Sequence, residues 1–168
     1  AVVVVAQAEG DDTVGDVVVT SSSGVRVTLE DGFEYREAGA IAAVEPATGV
    51  TDTIVIVYGT NLRGHGDEVV SVSLVGNEAT IDRETDNFVT VTAADGTAGE
   101  TGDVIITADT GAIITLVNGF SYVQEGTISS VEPADGVGGT VVTISGSDML
   151  SGGTGLKSVT LAGINAAI

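Results

Sequence analysis

The stretch IAAVEPATGVTDTIVIVYGTNL occupies residues 41–62 and reads as two strands around a turn. IAAVEP (41–46) is a short strand that stops at Pro46, because proline lacks the donor that a central ladder needs. ATGVTD supplies turn chemistry. TIVIVYG (53–59) alternates and is β-branched, which marks a strand with one buried face. The same grammar continues downstream. TNLRGHGDE (60–68) is a polar, glycine-containing loop, and VVSVSLVG (69–76) alternates Val70, Val72 and Leu74 against Ser71, Ser73 and Val75. NEATI (77–81) is a short strand, DRETDN (82–87) a polar loop and FVTVTA (88–93) another strand. After the loop ADGTAGETG, the runs DVIITAD (103–109) and AIITLVNGFSY (112–122) are joined by TG and read as a hairpin. About seven short strands and no stretch of helical period predict an all-β chain. The layout is a sandwich of two antiparallel sheets, immunoglobulin-like in arrangement.

The chain also repeats itself. Displaced by 87 residues it matches itself without a gap, and about 31 of the 81 overlapping positions are identical. IAAVEPATG (41–49) falls on ISSVEPADG (128–136), GDVVVT (15–20) on GDVIIT (102–107), and GFEY (32–35) on GFSY (119–122). A fixed period of this size marks a repeat array. Its phase divides the chain into the late part of a unit (1–36), a complete unit (37–123) and the early part of a unit (124–168). Together the two partial units lack only a counterpart of the loop 82–87. AVVVVA (1–6) aligns with FVTVTA and reads as a strand.

The order of these phrases resembles a known family. The opening I-x-x-V-E-P-x-x-G, then TIVIVYGTNL, VSVSLVG, GDVIIT and the closing GFSY are similar to the IPT/TIG immunoglobulin-like domains. Both partial units carry their share of the pattern, so the resemblance covers the whole chain. Its repeat signature falls on Phe33, Tyr35, Pro46, Gly59, Phe120, Tyr122, Pro133 and Gly146. In the second copy GTNL becomes GSDML (146–150), which puts that turn in doubt. The resemblance implies tandem extracellular β-modules, as in microbial surface proteins and some receptors. A branch of the family grips DNA in transcription factors, but the basic loops needed for that are missing here. Alternation puts the Phe and Tyr of Gly-Phe-x-Tyr on one side of the last strand. They are expected to plug the bottom of the sandwich beside the linker.

Composition narrows the function. Twenty-four acidic and 5 basic residues give a net charge of −19. Such a surface repels nucleic acid and anionic membranes, so no nucleic-acid partner is expected. No apolar run approaches a membrane span, so no membrane insertion is expected. With no cysteine, there are neither disulfides nor thiolate metal sites. No Asn-x-Ser/Thr sequon occurs. The core must rest on Val, Ile and Leu with the paired aromatics.

Chemistry is thinly represented. The single histidine, His65 in RGHGD, corresponds to Gly152 in the second copy and reads as a surface-loop residue. No two carboxylates are singled out as an acid–base pair, so no enzyme activity is expected. No cofactor is expected either. Ca²⁺, which takes six to eight oxygens, is the one candidate. Its ligands would come from EGDD (9–12) and DGTAGETGD (95–103), namely Glu9, Asp11, Asp12, Asp95, Glu100 and Asp103. Glu37, Glu45, Glu125 and Glu132 lie near the module junctions. A solvated acidic surface is the plainer reading of all these residues.

The leading functional expectation is a structural one. β-Sandwich modules stacked end to end would form an extracellular or cell-surface fibre, filament or stalk. The partners would be adjacent modules of the same chain or copies of itself, with half-modules completing each other head to tail. The alternative is an adhesin or carbohydrate-binding surface module that uses the loops 60–68 and 82–87.

Overall fold

A computed structural model describes residues 1–6 and 13–168 and contains fourteen strands and no helix among them. β1 (Thr13–Thr20) and β2 (Arg26–Tyr35) form an N-terminal hairpin. β3 (Ala40–Glu45), β4 (Thr48–Gly49), β5 (Ile54–Thr60), β6 (Val69–Leu74) and β7 (Asn77–Glu84) open the central unit. β8 (Phe88–Thr92), β9 (Thr101–Ala108) and β10 (Ile113–Tyr122) complete it. Beyond it, β11 (Thr127–Glu132) pairs with β12 (Thr143–Ser147), and β13 (Val159–Leu161) pairs with β14 (Ile164–Ala166).

The central strands are hydrogen-bonded in the order β3-β5-β8-β7-β6-β9-β10-β4. This ribbon folds on itself as a sandwich because β7 serves both layers. Its first residues pair with β6 (Val72↔Ala79), and after them Thr80 to Glu84 pair with β8. Pro46 sits between β3 and β4, after a cis Glu45–Pro46 bond. There the chain leaves β5 at one end of the order and reaches β10 at the other, where β4 runs parallel to β10. Parallel β4 and β10 mean that the chain enters and leaves the sandwich at opposite ends.

Alternation supplies the core. Val55, Val57, Val89 and Val91 face inward from one layer, and Val72, Leu74, Val104 and Ile106 from the other, all fully buried. Full burial of each such side chain contributes roughly 1.5–3 kcal/mol. Among the described residues no buried side-chain nitrogen or oxygen lacks a hydrogen-bond partner.

Four details depart from the sequence expectations. Val70 is exposed, because the β6–β9 register slips between Val69 and Ser71 and resets the alternation, leaving Val69 inward instead. The turn after Pro46 contains the two-residue β4. β7 runs on to Glu84, so the polar loop is shorter than 82–87. Ala1–Ala6 is not a strand. Its equivalent β8 lies between β5 and β7, whereas among the described residues no strand pairs with this segment.

Candidate functional site

The loops nominated by sequence meet at the end of the central sandwich where the chain enters. Arg63 in loop 60–68 donates two hydrogen bonds to the Glu84 carboxylate, from Nε at 2.7 Å and from Nη2 at 2.8 Å. The Glu84 hydrogen bond is the main influence that raises the Arg63 pKa, with burial opposing it. The Leu62 and Arg63 amides donate to the Asp86 carbonyl and carboxylate. Asp109, in the β9–β10 turn, accepts from the Asp67 amide at 3.2 Å, and the Thr110 hydroxyl donates to the Gly64 carbonyl. His65, at a φ of 62°, donates from Nε2 to the Glu37 carbonyl at 2.8 Å, tying the loop to the linker. His65 thus has a positional role at the junction. The Arg63–Glu84 pair was not foreseen, because 21 residues separate its members and only the fold brings them together.

The calcium candidates that the structure describes do not gather. Asp103 Oδ1 accepts from the Asn118 amide at 2.9 Å, clasping the bulge that interrupts β9–β10. Asp95 Oδ1 accepts from the Thr51 hydroxyl at 3.0 Å. The Glu100 carbonyl accepts from the Tyr122 amide. Among the described residues, no three His, Cys, Asp or Glu are grouped to hold a metal ion. Glu9, Asp11 and Asp12 lie outside the described residues.

The repeat signature has a physical basis in the central unit. Phe120 and Tyr122 are buried and meet edge to face, their centroids 5.2 Å apart. The Tyr122 hydroxyl donates to the Ala94 carbonyl at 2.9 Å. Burial first, with the nearby Asp95 charge adding to it, raises the phenol pKa, against a hydrogen bond from Asn77. Pro46 flanks strands as expected. Gly59 is glycine because a Cβ there would collide with the Ala40 carbonyl where β3 bulges against β5.

The flanks reproduce this geometry with one difference. Gly15↔Phe33, Val17↔Leu29 and Val19↔Val27 in β1–β2 match Gly102↔Phe120, Val104↔Leu116 and Ile106↔Ile114 in β9–β10. The same bulge recurs, clasped by Asp16 Oδ1 on the Asp31 amide at 3.0 Å. β11–β12 repeats the register and bulge of β3–β5, with Gly146 in place of Gly59 and its missing Cβ against the Thr127 carbonyl. Pro133 follows β11 as Pro46 follows β3, also after a cis bond. Phe33 and Tyr35 keep the edge-to-face contact at 5.0 Å.

The difference is exposure. Phe33 is 46% exposed, Leu29 63% and Val17 39%, whereas Phe120 and Val104 are fully buried. Met149 and Leu156 are exposed where the equivalent Leu62 is fully buried and Val69 nearly so. The sequence expectation that Phe33 and Tyr35 plug a sandwich is therefore not met within this chain, because the strands that would cover them are not against them.

A family model described as IPT/TIG domain matches residues 40–122, about half of the chain. A search of curated proteins finds no match. Among solved structures, the plexin A4 extracellular region is similar over 61% of this chain and 9% of its own, at 24% identity and a TM-score of 0.48. An auxiliary nutrient binding protein from Bacteroides ovatus is similar over 55% of this chain and 22% of its own, at 20% identity and a TM-score of 0.42. The SGBP-B protein of the Bacteroides ovatus mixed-linkage glucan utilization locus, in complex with a mixed-linkage heptasaccharide, shares 13% identity over 69% of this chain and 30% of its own, with a TM-score of 0.42. This chain thus spans less than a third of each of these proteins, and what they bind belongs to them. The sandwich described above, with its switching β7, its Pro46 crossover and its closing Phe–Tyr pair, coincides with the matched segment: residues 40–122 are an IPT/TIG domain.

Proposed function

We infer that this chain is a structural building unit of an extended extracellular or cell-surface fibre or stalk, in which IPT/TIG sandwiches stack end to end. It acts without catalysis or cofactor, and its partners are modules of its own kind. One observation carries the reading. Both flanks repeat the registers and bulges of the central domain 87 residues away, and the N-terminal one its aspartate clasp, as fragments of a second such module would. The domain boundaries then fall at 1–36, 37–123 and 124–168. Short connections support a stiff arrangement, since repeat arrays gain rigidity from contacts between neighbours. His65 on the Glu37 carbonyl is one such contact across a junction. Electron microscopy of the native material tests the idea. Filaments with an axial spacing of one or two modules are expected, and isolated compact particles would refute it.

A second reading is a surface module that binds carbohydrate. What favours it is the convergence of loops 60–68 and 82–87 at one end, together with their difference from the second copy, where TNLRGHGDE faces SDMLSGGTG. A glycan array probed with the full chain distinguishes the two: specific glycan binding that is lost on substituting His65 and Asp67 supports the adhesive reading.

A further inference from the structure

The chain holds three Phe and three Tyr. Four of the six form the two Gly-Phe-x-Tyr pairs. The other two, Tyr58 and Phe88, are direct cross-strand partners on β5 and β8. Val57, Val89 and Val91 point into the core, so alternation turns Tyr58 and Phe88 to the outer face of the β3-β5-β8-β7 layer. Tyr58 is 38% exposed, and Ile54 on the same side of its strand is 62% exposed. Arg83, on β7, lies over the Phe88 ring, 5.3 Å from its centroid. The strand pairing itself does not need these apolar groups. In the second copy Ser145 stands for Tyr58 and Thr143 for Ile56, and β11–β12 keeps the register of β3–β5 with them. The apolar outer face is a property of the complete domain and not of the repeat.

One row of side chains crosses this face. Glu45 pairs with Ile56, Ile56 with Thr90 and Thr90 with Arg83, from β3 through β5 and β8 to β7. An anion ends the row on one side and a cation on the other. Three strand spacings of about 4.8 Å hold the two roughly 14 Å apart, too far to meet within one molecule. Among the described residues neither has an ion-pair partner.

We propose that this face packs on the same face of a second copy of the chain, about a two-fold axis that runs along the strands between β5 and β8. Turning the row over about that axis sets Glu45 of each copy against Arg83 of the other. Tyr58 then covers Phe88 of the second copy, and Ile56 covers Thr90. The contact is isologous and uses the aligned arrangement in which two sheets commonly pack. Charge complementarity selects this occupant. Copies of a chain with a net charge of −19 repel one another. The Glu45–Arg83 exchange offsets that repulsion locally and fixes the orientation. A four-stranded face is small beside what a permanent dimer buries, so the contact is weak for one pair and cumulative along linked modules. It lies on the side of the domain, which end-to-end stacking leaves open. It thus adds a lateral contact to the fibre reading without depending on it.

Sedimentation equilibrium of the full chain tests the proposal. The unsubstituted chain should dimerise reversibly at millimolar concentration. Glu45→Arg and Arg83→Glu should each weaken dimerisation at least about tenfold, because each sets like charges against one another at both edges of the face. An equimolar mixture of the two variants should recover it, since every facing pair in the mixed dimer is again opposite in sign. Tyr58→Ser installs the residue that the second copy carries at that place. It should abolish dimerisation while far-ultraviolet dichroism shows the fold retained. A chain that stays monomeric at millimolar concentration overturns the proposal, and so does a mixture that associates no better than its components. A glycan bound at Tyr58 by a chain that never dimerises would also defeat it. Association indifferent to Glu45, Arg83 and Tyr58 would rule out the lateral contact and leave the fibre reading standing. The charge-selective dimer without filaments in microscopy would support the contact and refute the fibre.

Discussion

Phe120 and Phe33 are the same residue of the repeat in two environments, and truncating each to alanine gives a sharp contrast. Phe120 is fully buried against Tyr122, so Phe120→Ala should cost about 3–5 kcal/mol, the range for emptying a core aromatic site. A domain of about 80 residues has roughly 4–12 kcal/mol in hand. The variant should therefore lose much of its stability, and its urea midpoint should fall by 1 M or more for a slope of about 1–3 kcal/mol per molar. Phe33 makes the same edge-to-face contact at 5.0 Å but remains 46% exposed. The ring-pair contribution is common to both sites, so the difference lies in burial. About half of a 1.5–3 kcal/mol burial contribution is all that Phe33→Ala can lose in a separated molecule. That loss falls on the flanking hairpin and leaves the central transition where it was. The assay is urea unfolding followed by far-ultraviolet dichroism at the lowest workable protein concentration. If Phe33→Ala lowers the main midpoint as far as Phe120→Ala does, the hairpin is packed within the monomer and the reasoning fails.

Three further outcomes follow from the central domain. Tyr122→Phe removes the hydrogen bond to the Ala94 carbonyl and should cost about 0.5–1.5 kcal/mol in thermal or urea unfolding. The Tyr122 pKa is raised in the folded state, so its contribution is complete below the unfolded value near 10.0 and lost as pH climbs through the folded value. Melting temperature should therefore fall above that pH, and less steeply in Tyr122→Phe. Asp103→Ala takes the acceptor from the Asn118 amide at the β10 bulge and should cost about 1 kcal/mol by urea titration, with Asp103→Asn recovering part of it. Gly59→Ala drives a methyl into the Ala40 carbonyl and the Leu62 side chain. It should destabilise the domain by roughly 1–3 kcal/mol, with amide exchange quickening first in β3; an unchanged midpoint would show that the β3–β5 approach relaxes freely.

Much of this fold is local and therefore legible in order along the chain. The two-residue period of TIVIVYG and FVTVTA dictates strands, and the recurrence of Gly-Phe-x-Tyr and Glu-Pro 87 residues apart marks equivalent places in two units. Side-chain alternation and proline's missing donor act on neighbouring residues, so the sequence alone determined most of the central strands, the 87-residue period, that 53–59 has one buried face and that Phe120 and Tyr122 share a side. Other features depend on what stands opposite. The slip between Val69 and Ser71 turned Val70 outward, and a ladder register is a property of two strands rather than one. Arg63 found Glu84 only because two loops meet at one end of the sandwich. Asp103, attractive as a cation ligand by composition, is occupied by a backbone amide 15 residues away. Burial is the clearest case. Phe33 and Phe120 sit in nearly the same phrase with the same ring contact, yet one is half open and the other sealed. Removing a side chain from water requires a covering surface, and only the tertiary structure decides whether that surface is there.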